Sequence, residues 1–110
     1  MSSVYQWTDD EDEVAMDAVT VSISSSTRIL KIGGLEFGAP TAWVYWPERH
    51  TKEGKVAERT EGPYHDVRSA LAYAEDAAHR HGFPKVVLAL QHRDLWNKSW
   101  GVLAPSSGLG

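Results

Sequence analysis

The sequence predicts an α+β fold: an antiparallel or mixed sheet of about four to six short strands, with one long helix (about residues 66–81) packed on one face. Apolar and polar residues alternate along residues 18–24, and the segment 41–46 (TAWVYW) is rich in β-formers. Residues 67–81 instead carry apolar residues at helical spacing. Strands grouped before a single helix are typical of α+β domains.

The expected strands follow in chain order. The first has Val19, Val21 and Ile23 on one face, and a second strand is predicted to pair with it in a hairpin. The remaining strands include a buried one after the helix and a last one near the C-terminus. The predicted ranges after the first strand are 28–32, 35–37, 41–46, 55–60, 85–91 and 96–103.

The helix has a start signal, an apolar face and a stop signal. Asp66 is a suitable N-cap because its carboxylate can accept hydrogen bonds from the first free amides. Gly82 suits the left-handed position after the last turn, and Pro84 cannot continue a helix. The predicted buried face consists of Val67, Ala70, Leu71, Ala74, Ala77, Ala78 and His81.

The length of 110 residues is enough for one domain. We expect an acidic, flexible tail over residues 1–13, a single domain over 14–104 and a frayed tail over 105–110. The chain has no cysteine, which excludes disulfide scaffolds, Cys-based zinc sites and thiol nucleophiles. Neither a secretory signal nor a membrane span is recognisable, so the expected localisation is cytoplasmic.

The charge is concentrated in one run of five acidic residues: Asp9, Asp10, Glu11, Asp12 and Glu13. Without this run, ten acidic residues face eleven basic ones, so the rest of the chain is close to neutral. In the simplest interpretation the run is solvated. In the other interpretation it steers the protein toward a partner with a basic surface.

No catalytic motif is present. The chain lacks GxGxxG, GxxxxGK[ST], HExxH and GxSxG. His79 and His81 diverge on a helix and cannot share one metal ion. A site formed by His65, His92 and a carboxylate of Asp66 or Asp94 can be imagined, but no spacing requires it. We therefore predict no catalytic residue, no metal and no cofactor.

The aromatic residues are the candidate binding groups. Trp43 and Tyr45 share one face of their strand, and Trp96 and Trp100 would share one face of the last strand. Arg93 and Lys98 are interleaved with the last two rings. These rings either fill the core or a homodimer interface, or they form an open binding face.

We therefore expect a small non-enzymatic protein of bacterial or phage type that acts by binding another protein, as an inhibitor, immunity protein or adaptor does. The aromatic face would anchor the partner, since aromatic residues carry much of the energy of interfaces. The alternative is a single-stranded nucleic-acid-binding protein whose rings stack on bases. No membrane partner is expected.

Overall fold

The computed structural model describes residues 4–9, 17–25, 28–52 and 54–107. They form one helix and three sheets. The strands are β1 Val4–Thr8, β2 Ala18–Ser24, β3 Arg28–Lys31, β4 Gly34–Phe37, β5 Thr41–Trp46, β6 Arg49–Thr51, β7 Gly54–Val56, β8 Arg59–Tyr64, β9 Lys85–Leu90 and β10 Val102–Ser107. The helix α1 is Val67–His81, and two 3₁₀ turns, Arg93–Leu95 and Lys98–Trp100, precede β10.

The main sheet is mixed and has six strands in the order β10-β1-β9-β2-β5-β8. The four strands β10, β1, β9 and β2 are parallel to one another, whereas β5 is antiparallel to β2 and β8 is antiparallel to β5. Strand β8 therefore runs parallel to β9, and α1 is the crossover that connects them. The predicted α+β class with one helix on one face is confirmed.

The helix has the predicted bounds and caps. The amide of Arg68 donates to Oδ1 of Asp66 over 3.1 Å, which satisfies one free donor of the first turn. Gly82 ends the helix with φ of 74°, a left-handed conformation that glycine adopts without steric cost. The buried face contains four alanines, which allow the helix to lie close to β2, β5 and β9.

The core lies between the helix and the sheet. Val19, Val21 and Ile23 of β2 are fully buried there, as the alternation predicts. Strand β1 adds Tyr5 and Trp7 to the same cluster. On the opposite face of the sheet, Ala18 and Val87 form a second, small buried cluster.

Strand β3 does not pair with β2 as predicted. It pairs with β4 in a separate two-stranded sheet, in which Lys31 lies opposite Gly34. Gly33 and Gly34 have φ of 97° and 145°. These positive values allow a tight turn between β3 and β4, so β3 pairs with the strand that directly follows it. The long-range partner of β2 is β5.

The predicted strand 55–60 is also corrected. Its first part belongs to β7, which pairs with β6, and its second part belongs to β8, which pairs with β5. Ala57 and Glu58 separate the two strands. The carbonyl of Ala57 accepts from Trp46 Nε1 over 3.2 Å, and Oε2 of Glu58 accepts from the Tyr45 hydroxyl over 3.2 Å.

Strands occupy parts of both segments that the sequence predicted to be tails. Strand β1 lies within residues 1–13 and occupies an interior position between β9 and β10, where it buries Tyr5 and Trp7. Strand β10 continues through Ser107, into the segment predicted to fray. The short alternation of VYQWT is a strand signal that the neighbouring acidic run obscures.

Candidate functional site

A cleft of about 570 Å³ lies beside β10. Its lining includes Arg93, Trp96 and Lys98, three of the residues predicted to bind a partner. The predicted strand 96–103 is wrong in its first half, because this segment forms the two 3₁₀ turns and β10 begins only at Val102. The residues that line the cleft are Arg93, Trp96, Lys98, Gly101, Val102 and Leu103.

Local hydrogen bonds explain why this segment turns rather than extends. The Asn97 side chain accepts from the amide of Ser99 over 2.9 Å, a cap that starts the second 3₁₀ turn. The indole N–H of Trp96 donates to the carbonyl of Gly101 over 3.1 Å and closes the segment on itself. The indole of Trp7 donates to the carbonyl of Ala104 over 3.0 Å and holds β10 against β1.

The aromatic rings beside the cleft pack edge to face. The ring of Trp96 lies 5.8 Å from that of Tyr5 at 72°, and 5.3 Å from that of Trp100 at 81°. The guanidinium of Arg93 lies 5.8 Å from the centre of the Trp7 ring. Such contacts restrict the orientation of the rings, so one wall of the cleft is formed in advance of any ligand.

The cleft carries positive charge. Arg93 and Lys98 are exposed, and neither has a carboxylate partner among the residues that the structure describes. The half-buried Trp96 and Leu103 add apolar surface beside them. This combination suits an anionic group attached to an apolar or flat group.

The structure does not bring all four predicted rings together. Trp43 and Tyr45 do share one face of β5, as predicted, but Val44 and Trp46 of that strand face the helix. Trp96 contacts Tyr5, whose hydroxyl reaches Glu75 of α1, so it lies on the helix side of the sheet. Trp43, with 39% of its surface exposed, therefore lies on the opposite side.

Tyr45 is less available than the sequence suggests. Its hydroxyl donates to Oε2 of Glu58 over 3.2 Å. Partial burial, with the hydrogen bond to Glu58 and the charge of that carboxylate, raises the pKa of Tyr45 above its usual 10. The hydroxyl of Tyr45 therefore already has a hydrogen-bond partner, Glu58, in the structure.

The acidic run begins where β1 ends. Asp9 is exposed and directly follows β1. The other four predicted acidic residues, Asp10, Glu11, Asp12 and Glu13, lie outside the described residues.

One exposed apolar surface, the hairpin β3–β4, was not among the binding residues predicted from the sequence. Ile29 and Leu30 are 48% and 84% exposed, and Ile32 in the adjoining turn is fully exposed. The sequence does contain a signal for this exposed surface. Residues 28–32 (RILKI) place aliphatic residues on both faces of a strand and not on one face only.

The histidines do not form a metal centre within the described residues, where no group of three or more His, Asp or Glu side chains is placed to hold an ion. His65 precedes α1 and His92 follows β9. The only helix of the described ranges is too short and too polar to cross a membrane.

Comparisons with known proteins give no assignment. No protein-family model matches the chain, and neither a curated protein nor a solved structure matches it significantly.

Proposed function

We propose that this chain is a small non-enzymatic binding protein that contacts another protein through the β3–β4 hairpin. The observation that carries this proposal is the exposure of Ile29, Leu30 and Ile32 on a hairpin outside the main sheet. These side chains do not pack in the core, and adjacent exposed aliphatic groups are typical of interaction sites.

Elementary energetics favour a covered hairpin. Burying one leucine or isoleucine side chain contributes roughly 1.5–3 kcal/mol. An isolated two-stranded hairpin is marginally stable in water, so a partner that packs against it also stabilises its conformation. The matching surface is an apolar groove on a second protein.

The edges of the main sheet are poorer contact elements. The outer strands are β8 and β10, which contain Pro63 and Pro105. Proline cannot donate a hydrogen bond to an added strand and is a common protection of sheet edges. Strand addition is therefore disfavoured, and contact through side chains is favoured.

The test is a pull-down with matched variants from native lysate. Leu30→Thr/Ile32→Thr replaces two large apolar side chains by a smaller polar one that still favours a β-strand, and Val4→Thr is the control, since Val4 is also exposed. We expect a stoichiometric protein that the wild type and Val4→Thr retain and the double variant loses. Retention by the wild type and both variants, or by none of the three proteins, overturns the proposal. Sedimentation of the purified protein separates a homodimer from an external partner: a dimer that the double variant abolishes assigns the hairpin to self-association instead.

The acidic run would increase the association rate with a partner that carries basic charge near its groove. To test this steering role, four acidic residues are replaced by their neutral amides in the full-length chain. The substitutions are Asp10→Asn, Glu11→Gln, Asp12→Asn and Glu13→Gln. Deleting residues 1–13 is unsuitable because it removes Tyr5 and Trp7 from the core. We expect slower association at low salt and an unchanged rate at high salt, measured by surface plasmon resonance with the captured partner. An association rate that neutralisation leaves unchanged at low salt contradicts the steering role.

The second candidate function is single-stranded nucleic-acid binding at the cleft, favoured by the grouping of Arg93, Trp96 and Lys98. It predicts that a single-stranded oligonucleotide quenches tryptophan fluorescence and that added salt relieves the quenching. Lys98→Gln should weaken the effect, whereas Arg59→Gln, an exposed cation on β8, should not. An absence of quenching at low salt overturns this candidate.

A further inference from the structure

A second groove, of about 500 Å³, lies between the β6–β7 hairpin and the C-terminal end of α1. Its lining is dominated by basic and imidazole side chains. The lining residues are Lys52, Gly54, Lys55, Val56, His79, Arg80, His81 and Gly82, and Arg49 and His50 adjoin it beside Lys52 and Gly82.

The groove concentrates positive charge in a protein whose net charge is −4. Four of the eleven Lys and Arg residues and three of the five histidines lie here. Glu48 Oε2 lies 3.3 Å from Lys55 Nζ, and Asp76 Oδ2 lies 2.8 Å from Arg80 Nε. Among the described residues, Arg49 and Lys52 have no carboxylate partner, so the groove keeps an excess of cations.

The helix dipole accounts for only part of this cluster. Cations in the last turn of a helix stabilise its negative end, which explains His79, Arg80 and His81. It does not explain Arg49, Lys52 and Lys55, which come from a separate hairpin. Two elements distant in sequence thus bring cations to one groove.

Packing holds these two elements together. The guanidinium of Arg49 lies 5.1 Å from the centre of the Phe83 ring, directly after the helix. The imidazole of His81 lies 5.3 Å from the ring of Trp46, on the strand that leads into the hairpin. These supporting contacts use neither Lys52, which has no carboxylate partner among the described residues, nor Lys55, whose exposed ion pair with Glu48 a phosphate group can replace.

We propose that this groove binds the phosphate groups of an anionic ligand. Convergent ammonium and guanidinium groups are the usual ligands of phosphate in proteins. Among the described residues that line the groove, only the half-buried Val56 has an aliphatic side chain, so this lining offers little surface to the apolar side chains of a peptide. The phosphates belong either to a nucleic-acid backbone or to a free polyphosphate.

The experiment measures binding of two probes at low salt, sodium tripolyphosphate by calorimetry and a fluorescent single-stranded oligonucleotide by anisotropy. The variants are Lys52→Gln/Lys55→Gln and, separately, Arg80→Gln. Arg68→Gln is the matched control, because Arg68 is an exposed cation at the opposite end of α1 and lines neither this groove nor the other cleft. Circular dichroism confirms that each variant is folded, which is expected because the altered side chains are exposed.

We expect the double variant to weaken binding about tenfold or more and Arg68→Gln to leave it within about twofold. Binding of tripolyphosphate alone assigns the site to free polyphosphate, and displacement of tripolyphosphate by the oligonucleotide assigns it to a nucleic-acid backbone. Three results overturn the proposal: no binding of either probe, equal losses in Arg68→Gln and the double variant, or tighter binding of poly-glutamate, a polyanion without phosphate, than of both probes. None of these three results tests the proposed protein contact through the β3–β4 hairpin, which is tested with other variants.

Discussion

The hydroxyl of Tyr5 donates a hydrogen bond of 2.8 Å to Oε1 of Glu75, across 70 residues of sequence. Tyr5 is only 5% exposed, while Glu75 lies on the exposed side of α1. The bond connects an interior strand of the sheet directly to the middle of the helix. It shows that the first described strand is part of the domain and not an appendage.

Tyr5→Phe should lower the free energy of unfolding by about 1 kcal/mol, because the ring stays in the core while the hydrogen bond to a partly exposed carboxylate is lost. Urea denaturation measures the change. Tyr5→Ala also removes the ring and should cost about 3–5 kcal/mol. Glu75→Gln keeps an acceptor and serves as the control. If Tyr5→Phe is as stable as the wild type, the hydroxyl does not contribute.

Gly62 and Trp43 are in tight contact on the face opposite the helix. A Cβ built on Gly62 would lie 2.8 Å from Cε3 of Trp43, and the φ of 145° is itself unfavourable for alanine. Gly62→Ala should therefore cost more than about 1 kcal/mol and alter the near-UV circular dichroism of Trp43.

Gly33→Ala is the matched control, since its φ is also positive but nothing lies within 4 Å of the added Cβ. In the double variant Gly62→Ala/Trp43→Ala the collision is absent. We expect a smaller loss than the sum of the two single losses. Additive losses would mean that Trp43 moves aside without cost.

The hydroxyl of Thr20 is buried without a hydrogen-bond partner among the described residues. Valine has nearly the same shape and no polar group to leave unsatisfied. Thr20→Val should therefore stabilise the protein by about 1 kcal/mol, seen as a higher Tm. Ser22→Val on the same face is the control, because Ser22 is only half-buried. A lower Tm for Thr20→Val would show that the hydroxyl does have a partner in solution.

The raised pKa of Tyr45 predicts a loss of stability at alkaline pH. Burial, followed by the hydrogen bond to Glu58 and its charge, makes the folded protein hold the phenolic proton more tightly than the unfolded chain. The resulting stabilisation is fully present below pH 10 and is lost as the pH rises through the raised pKa.

Tyr45→Phe should therefore lose less stability than the wild type between about pH 9 and about pH 11. Thermal unfolding at both pH values measures this difference. Glu58→Gln, which removes the charge but not the burial, should give an intermediate result. Equal losses in the wild type and in Tyr45→Phe would contradict the assignment.

Elements with local causes could be predicted from the sequence. The Asp66 cap, the alanine-rich face and Gly82 lie within about five helical turns, so their meaning does not depend on the rest of the chain. Strand β5 has strong intrinsic β-propensity and kept its predicted bounds. The pairing of strands could not be predicted in this way, because an alternating pattern indicates a strand but does not identify the strand that pairs with it.

The candidate sites show the same division. Sequence analysis selected Arg93, Trp96 and Lys98, which do meet in one cleft, although in 3₁₀ turns rather than on a strand. The same prediction placed Trp43 and Tyr45 on one binding face with these three residues. The sheet places β5 three strands away from β1, about 14 Å, and its rings on the other face.

By itself, the sequence determined the α+β class, the single capped helix and the absence of cysteine chemistry, because caps, periodicity and composition are local or additive properties. Only the tertiary structure decided that β1 lies inside the sheet, that β3 pairs with β4, and that Lys52 and Lys55 lie beside His79 and Arg80. These relationships depend on chain reversals and crossovers. Their free energy comes from burial between residues far apart in sequence, and no short window of the sequence contains both partners.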